Sequence, residues 1–176
     1  HEQDAGRAGY GYTNDFNGNL VFVHSDAATS GSRLPVTVSH VYNLCDTGKS
    51  SRIGNGWRLN VQERLLPTGI PDSPYVYTDG DGTRHFFYRD EKDGNKLKDE
   101  DGLGFVITRE ENQANVHEFR LLTGKDKSVR TFDVWGYLKK KEDPNGNSIQ
   151  YYYDSDGSSL DNYLGTVVDG AGQAID

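Results

Sequence analysis

One cysteine, no methionine, five prolines and no long apolar run set the first limits on this 176-residue chain. A lone Cys45 cannot form an internal disulfide, so stability must come from the core, and Cys45 is expected to be a small buried hydrophobe. No stretch of about 18 apolar residues is present, which leaves no candidate for a membrane-spanning helix. Positive charge is also scarce. With 19 basic against 27 acidic residues the net charge is −8, which repels a phosphate backbone and argues against nucleic acid as a partner.

Catalytic signatures are missing as well. There is no G-x-S-x-G, no Walker glycine loop and no C-x-x-C. His1, His24, His40, His85 and His117 stand singly, without the spacing of a metal site, and the four internal ones fit hydrogen-bonded strand histidines. The chain opens on His1 without an apolar leader, so it is expected to be a processed product or a piece of something longer. No catalysis of its own is expected.

What the chain does have is aromatic residues and turns. Apolar residues make up only 34%, but 11 Tyr, 7 Phe and 2 Trp supply much of the buriable area, since each ring can bury about 150–250 Å². Turn signals recur roughly every ten residues, an all-β spacing. Residues 1–18 read as a lead-in. Leu20 to His24 and Leu34 to Tyr42 read as strands, and Trp57 to Leu65 as the most regular one, with Trp57, Leu59, Val61 and Leu65 on one face and Arg58, Asn60, Gln62 and Arg64 on a wet one. Tyr75–Thr78 and Thr83–Tyr88 form a hairpin across Asp79-Gly80-Asp81-Gly82, because Asp-Gly supplies the positive φ of tight turns. Residues 89–104 read as an exposed charged loop. Residues 105–122 read as two strands around a polar break, with a helix as the competing assignment.

Residues 131–176 carry an internal repeat. Phe132-Asp133-x-x-Gly136 recurs as Tyr153-Asp154-x-x-Gly157, and Tyr137-Leu138 followed by Asp143-x-Asn145-Gly146 recurs as Tyr163-Leu164 followed by Asp169-x-x-Gly172. Such units are too small to bury a face alone and stack on their neighbours. This aromatic-Asp-x-x-Gly beat resembles the YD repeat of the RHS family, bacterial proteins whose repeats wind into a coiled β-shell. The stretches Gly54-x-Gly56-Trp57-Arg58-Leu59 and Tyr75 to Tyr88 resemble the region just before such repeats.

The resemblance implies an antiparallel all-β module in one domain: lead-in 1–18, irregular β region 19–130 and two repeat units in 131–176. It implies a structural role on a secreted or cell-surface bacterial protein, starting or capping a shell that displays or encloses another segment. The implied partner is the remainder of a longer parent chain. The residues it singles out are Phe132, Trp135, Leu138 and Tyr153, with Trp57, as packing. Asp133, Gly136, Asp143, Asn145, Gly146, Asp154, Gly157 and Asp169 are its turn positions.

Two other readings compete. Trp57, Tyr75, Tyr77 and Trp135 form a sugar-stacking platform if they share an exposed plane, which makes a cell-surface glycan or protein the alternative partner; as core residues they are needed inside. Asp79, Asp81, Asp154 and Asp156 pair oxygen ligands beside a glycine as calcium loops do, but neither segment supplies the further ligands of a full loop. Turn chemistry alone accounts for them, so no cofactor is expected, calcium being the one alternative.

Overall fold

In the computed structural model, residues 2–13, 18–45, 50–51, 53–111, 117–154 and 163–176 are described. The chain is all-β, with one short 3₁₀ turn at Gly6–Ala8. Its strands are β1 (Glu2–Asp4), β2 (Tyr10–Thr13), β3 (Leu20–Ala28), β4 (Thr37–Asn43), β5 (Ser50–Ser51), β6 (Gly54–Asn55), β7 (Trp57–Leu59), β8 (Arg64–Pro67) and β9 (Tyr75–Thr78). They continue with β10 (Arg84–Arg89), β11 (Lys96–Asp99), β12 (Val106–Glu111), β13 (His117–Leu122), β14 (Val129–Phe132), β15 (Leu138–Glu142), β16 (Ser148–Asp154), β17 (Tyr163–Val168) and β18 (Ala174–Ile175).

These strands form a five-stranded sheet, β1-β2-β3-β4-β7, and an eleven-stranded antiparallel meander running from β8 to β18 in unbroken chain order; β5 and β6 make a small ribbon. Sequential order follows from the short turns, since each strand pairs with the one just made. Along the meander, Leu65, Tyr77, Phe87, Leu97, Ile107, Leu121, Phe132, Leu138, Ile149, Tyr151 and Val167 form one core cluster with Val36 and Val61. Every strand from β8 to β17 contributes to it, and Ile175 of β18 packs against it. The large sheet gathers these side chains into one packed core and does not close into a barrel.

Four local expectations change. The lead-in holds two strands, because β1 pairs with β2 and β2 with β3. The regular strand from Trp57 is broken: β7 belongs to the small sheet and β8 to the large one, with a turn between them in which Gln62 N–H donates to the Leu59 carbonyl at 3.0 Å. The apolar alternation survives because Val61 and Leu65 both point into the core, while Arg58, assigned to the wet face, is buried. The charged stretch 89–104 contains β11, since Leu97 fills a core position between Arg89 and Ile107. Cys45 is exposed rather than buried. Residues 105–122 form two strands, and most of the polar break between them lies outside the described residues.

Candidate functional site: the turns, the seam and the junction between the sheets

The Asp-x-x-Gly turns share one geometry. Asp133 Oδ1 accepts the amides of Trp135 and Tyr137, both at 2.9 Å, and Gly136 N–H donates to the Asp133 carbonyl at 3.0 Å. Asp143 Oδ1 does the same for Asn145 and Asn147 at 2.9 Å, and Asp169 Oδ1 for Ala171 and Gln173 at 2.9 and 2.8 Å. Asp79 repeats the device on Asp81 and Thr83 at 3.2 and 3.0 Å. The glycine that closes each turn has positive φ: +91° at Gly82, +81° at Gly136, +83° at Gly146 and +85° at Gly172. This is the three-residue hairpin loop, a type I turn closed by a left-handed glycine, with the aspartate tying down the backbone.

Gly136 has a second role. Its carbonyl accepts Leu65 N–H at 3.0 Å, and Arg64 and Tyr137 form an isolated bridge. The Arg64 guanidinium lies 3.7 Å above the Tyr137 ring and donates to the Trp135 carbonyl at 3.3 Å. The free edge of β8 is thereby covered by the β14–β15 turn, which blunts an edge that would otherwise template another chain. At the far end, the small sheet's loop grips the last turn: Ser30 N–H donates to Gln173 Oε1 at 3.0 Å, and a Cβ on Gly31 would lie 2.3 Å from Asp169 Oδ2.

The third feature joins the two sheets. Tyr12 Oη donates to Asp81 Oδ2 at 3.0 Å and Asn43 Nδ2 to the Asp81 carbonyl at 2.8 Å, tying the small sheet to the β9–β10 turn. Beneath this turn lies His85, whose side chain is 8% exposed, with Nε2 3.1 Å from Asp79 Oδ2 and Nδ1 3.3 Å from Asp101 Oδ2. Its ring stacks on Tyr77 at 5.6 Å and meets Phe105 edge-on at 5.3 Å. The contact with Asp79 raises the His85 pKa against the opposing effect of burial, and Asp101 adds to it.

Behind Tyr77 is a buried ion pair. Glu63 Oε2 accepts from Tyr77 Oη at 2.5 Å and from Arg130 Nε at 2.6 Å, and Arg130 Nη1 donates to Ser128 Oγ at 3.1 Å. Burial first, then the Glu63 carboxylate, pushes the Tyr77 phenol well above its usual value. Burial and the neighbouring Arg130 hold Lys141 below its own. Glu63, Arg130, Tyr12 and Asp101 carried no signal in the sequence, because each finds its partner on another strand or sheet, 14 to 69 residues away.

The remaining candidate positions fall as follows. Phe132 and Leu138 are fully buried, and the Tyr153 ring lies 4.9 Å from Tyr137. Trp135 is 67% exposed at a turn tip, which corrects its expected role in packing. Asp154 ends β16 opposite Tyr163, with its Oδ2 beside Gly165. Asp156 and Gly157 lie outside the described residues.

The four-ring platform does not assemble. Tyr77 is 2% exposed, Tyr75 packs on Phe119 at 5.0 Å, and Trp57 sits on the small sheet against Tyr42, apart from Trp135. Of the calcium candidates, Asp79 and Asp81 are already engaged by turn amides, His85 and Tyr12. Among the described residues no group of three or more His, Cys, Asp or Glu is placed to hold a metal ion.

The geometry thus defines an all-β protein of two antiparallel sheets, the larger one an Asp-x-x-Gly meander. Residues 14–87 match a family described only as a domain of unknown function, DUF6531. That match runs through β3 and ends within β10, so it takes in the small sheet's main strands, the β9–β10 turn and His85, and stops before the repeat-bearing half. No curated protein matches the chain. Among the described residues no helix is long and apolar enough to cross a membrane.

Proposed function

We propose that this chain is a non-catalytic structural module of a secreted or surface protein of the RHS/YD-repeat kind, which starts or caps a β-shell and continues into the remainder of a longer parent chain. The observation that carries the reading is the asymmetry of the large sheet. Its first strand, β8, is sealed by the Gly136 turn, while its last, β18, pairs with β17 and with no second strand among the described residues. A sheet sealed at its start and open at its end is suited to seed further strands. The repeated turns give each added hairpin the same closure. The packed core along the large sheet fits a starting or capping role better than enclosure at this point of the chain.

Hydrogen exchange at Ala174 and Ile175 of the edge strand β18 tests this, measured in the chain alone and within its natural gene product. Continuation of the sheet onto β18 slows their exchange in the longer protein; equal exchange in both overturns the reading. The sugar-binding alternative keeps one observation in its favour, the exposed Trp135. Selective binding to one glycan class on an array, lost in Trp135→Ala, establishes it; silence from a folded sample removes it.

A further inference from the structure

The contacts of His85 count protons. Two nitrogen-to-carboxylate contacts, 3.1 Å to Asp79 and 3.3 Å to Asp101, need two protons between them. A neutral imidazole brings one, so the arrangement holds one proton more than a neutral ring between two carboxylates. When that proton leaves, one carboxylate faces a nitrogen lone pair and its contact is lost.

The two carboxylates are not equally free to leave. Asp79 Oδ1 is fixed by the amides of Asp81 and Thr83 within the hairpin turn. Asp101 sits in the loop between β11 and β12, its side chain 46% exposed, with Gly102 at φ +71° and Gly104 at φ +76° beside it. Water can take over the Asp101 carboxylate at small cost, whereas moving Asp79 breaks a turn. The other charged groups near the ring favour this order. From the turn, Asp81 is held by Tyr12 of β2, and Arg58 of β7 approaches the turn at Gly82. From β9, Tyr77 presents its ring to His85 and its hydroxyl to Glu63. Phe105, leading into β12, brings no charge.

We propose that His85 is a proton-operated clasp: with the extra proton it holds Asp101 and the loop tip at Asp101–Gly102 against the sheet, and without it that tip is released while the Asp79 turn and the small sheet stay in place. The rest of the loop remains anchored, because Asp99 accepts the amides of Leu103 and Phe105 at 2.6 and 2.7 Å and Glu100 N–H donates to the Phe86 carbonyl at 3.0 Å. The movement is therefore confined to the tip. This device does not depend on the shell reading.

The test follows the His85 ring by NMR between about pH 5 and about pH 10 and, in parallel, amide exchange at Gly102, corrected for base catalysis. His85 is expected to titrate above the range of a free histidine, with loop exchange rising about tenfold or more across the same step. In Asp101→Asn, which keeps the fold by circular dichroism, the exchange step disappears and His85 titrates lower. The proposal is overturned if loop exchange ignores the His85 titration, if His85 does not titrate in this interval, or if the step persists in Asp101→Asn.

Discussion

Leu65 donates its amide to the carbonyl of Gly136 at 3.0 Å, across 71 residues of chain, and so closes the first strand of the large sheet onto a turn in its middle. A Cβ on Gly136 would lie 2.0 Å from the Leu65 carbonyl oxygen, which leaves no room for any other residue there. The turn is thus both a hairpin closure and a lid on an edge. In energetic terms it removes an aggregation-prone edge and fixes how tightly the sheet coils.

The Glu63 carboxylate serves Tyr77 and Arg130 in a site all but closed to water. Removing it strands a buried cation, so Glu63→Ala is expected to destabilise by about 3–5 kcal/mol. Tyr77→Phe leaves the ion pair intact and costs about 1–2 kcal/mol. Urea denaturation of both variants checks the order; equal losses contradict a paired Arg130.

Phe132 is fully buried and Trp135 is 67% exposed, three residues apart. Phe132→Ala is expected to cost about 3–5 kcal/mol and Trp135→Ala within about 0.5 kcal/mol. Thermal melts that rank the tryptophan as the larger loss refute the exposed placement of the turn tip.

The Asn147 side chain, with the amides of Asn147 and Asn145, holds the Asp143 carboxyl below the usual carboxylate range. A depressed carboxylate contributes stability that is present above its unfolded pKa and is lost as pH falls through the lower folded value. The melting temperature is therefore expected to fall below about pH 4, and Asp143→Asn, which keeps an acceptor oxygen but no charge, flattens that fall. An unchanged acid profile in Asp143→Asn places the acid sensitivity elsewhere.

The Asp-x-x-Gly beat was legible because a turn of this kind needs an acceptor at its first position and a left-handed residue at its fourth, both local demands. Alternation likewise marked β4, β12 and β13, and the Asp-Gly turn marked β9 and β10. The switch from β7 to β8 was hidden, since Trp57, Leu59, Val61 and Leu65 keep a period of two in the sequence across a change of sheet. β11 was hidden because a single apolar residue, Leu97, suffices for a strand whose neighbours are charged. The His85 site was hidden although it is local: Asp79 and Asp101 approach from a turn and a loop on opposite sides of β10, and nothing in the spacing of those three residues marks it.

The most direct measurement compares thermal melts of Gly136→Ala and Gly146→Ala. Both glycines have nearly the same φ, +81° and +83°, so the backbone strain of alanine, about 1–2 kcal/mol, is common to both. Only Gly136 touches β8; a Cβ at Gly146 meets nothing within 4 Å. The seam predicts that Gly136→Ala loses at least about 2 kcal/mol more than Gly146→Ala. Equal losses in the two variants would contradict a sheet whose first edge is sealed by the Gly136 turn.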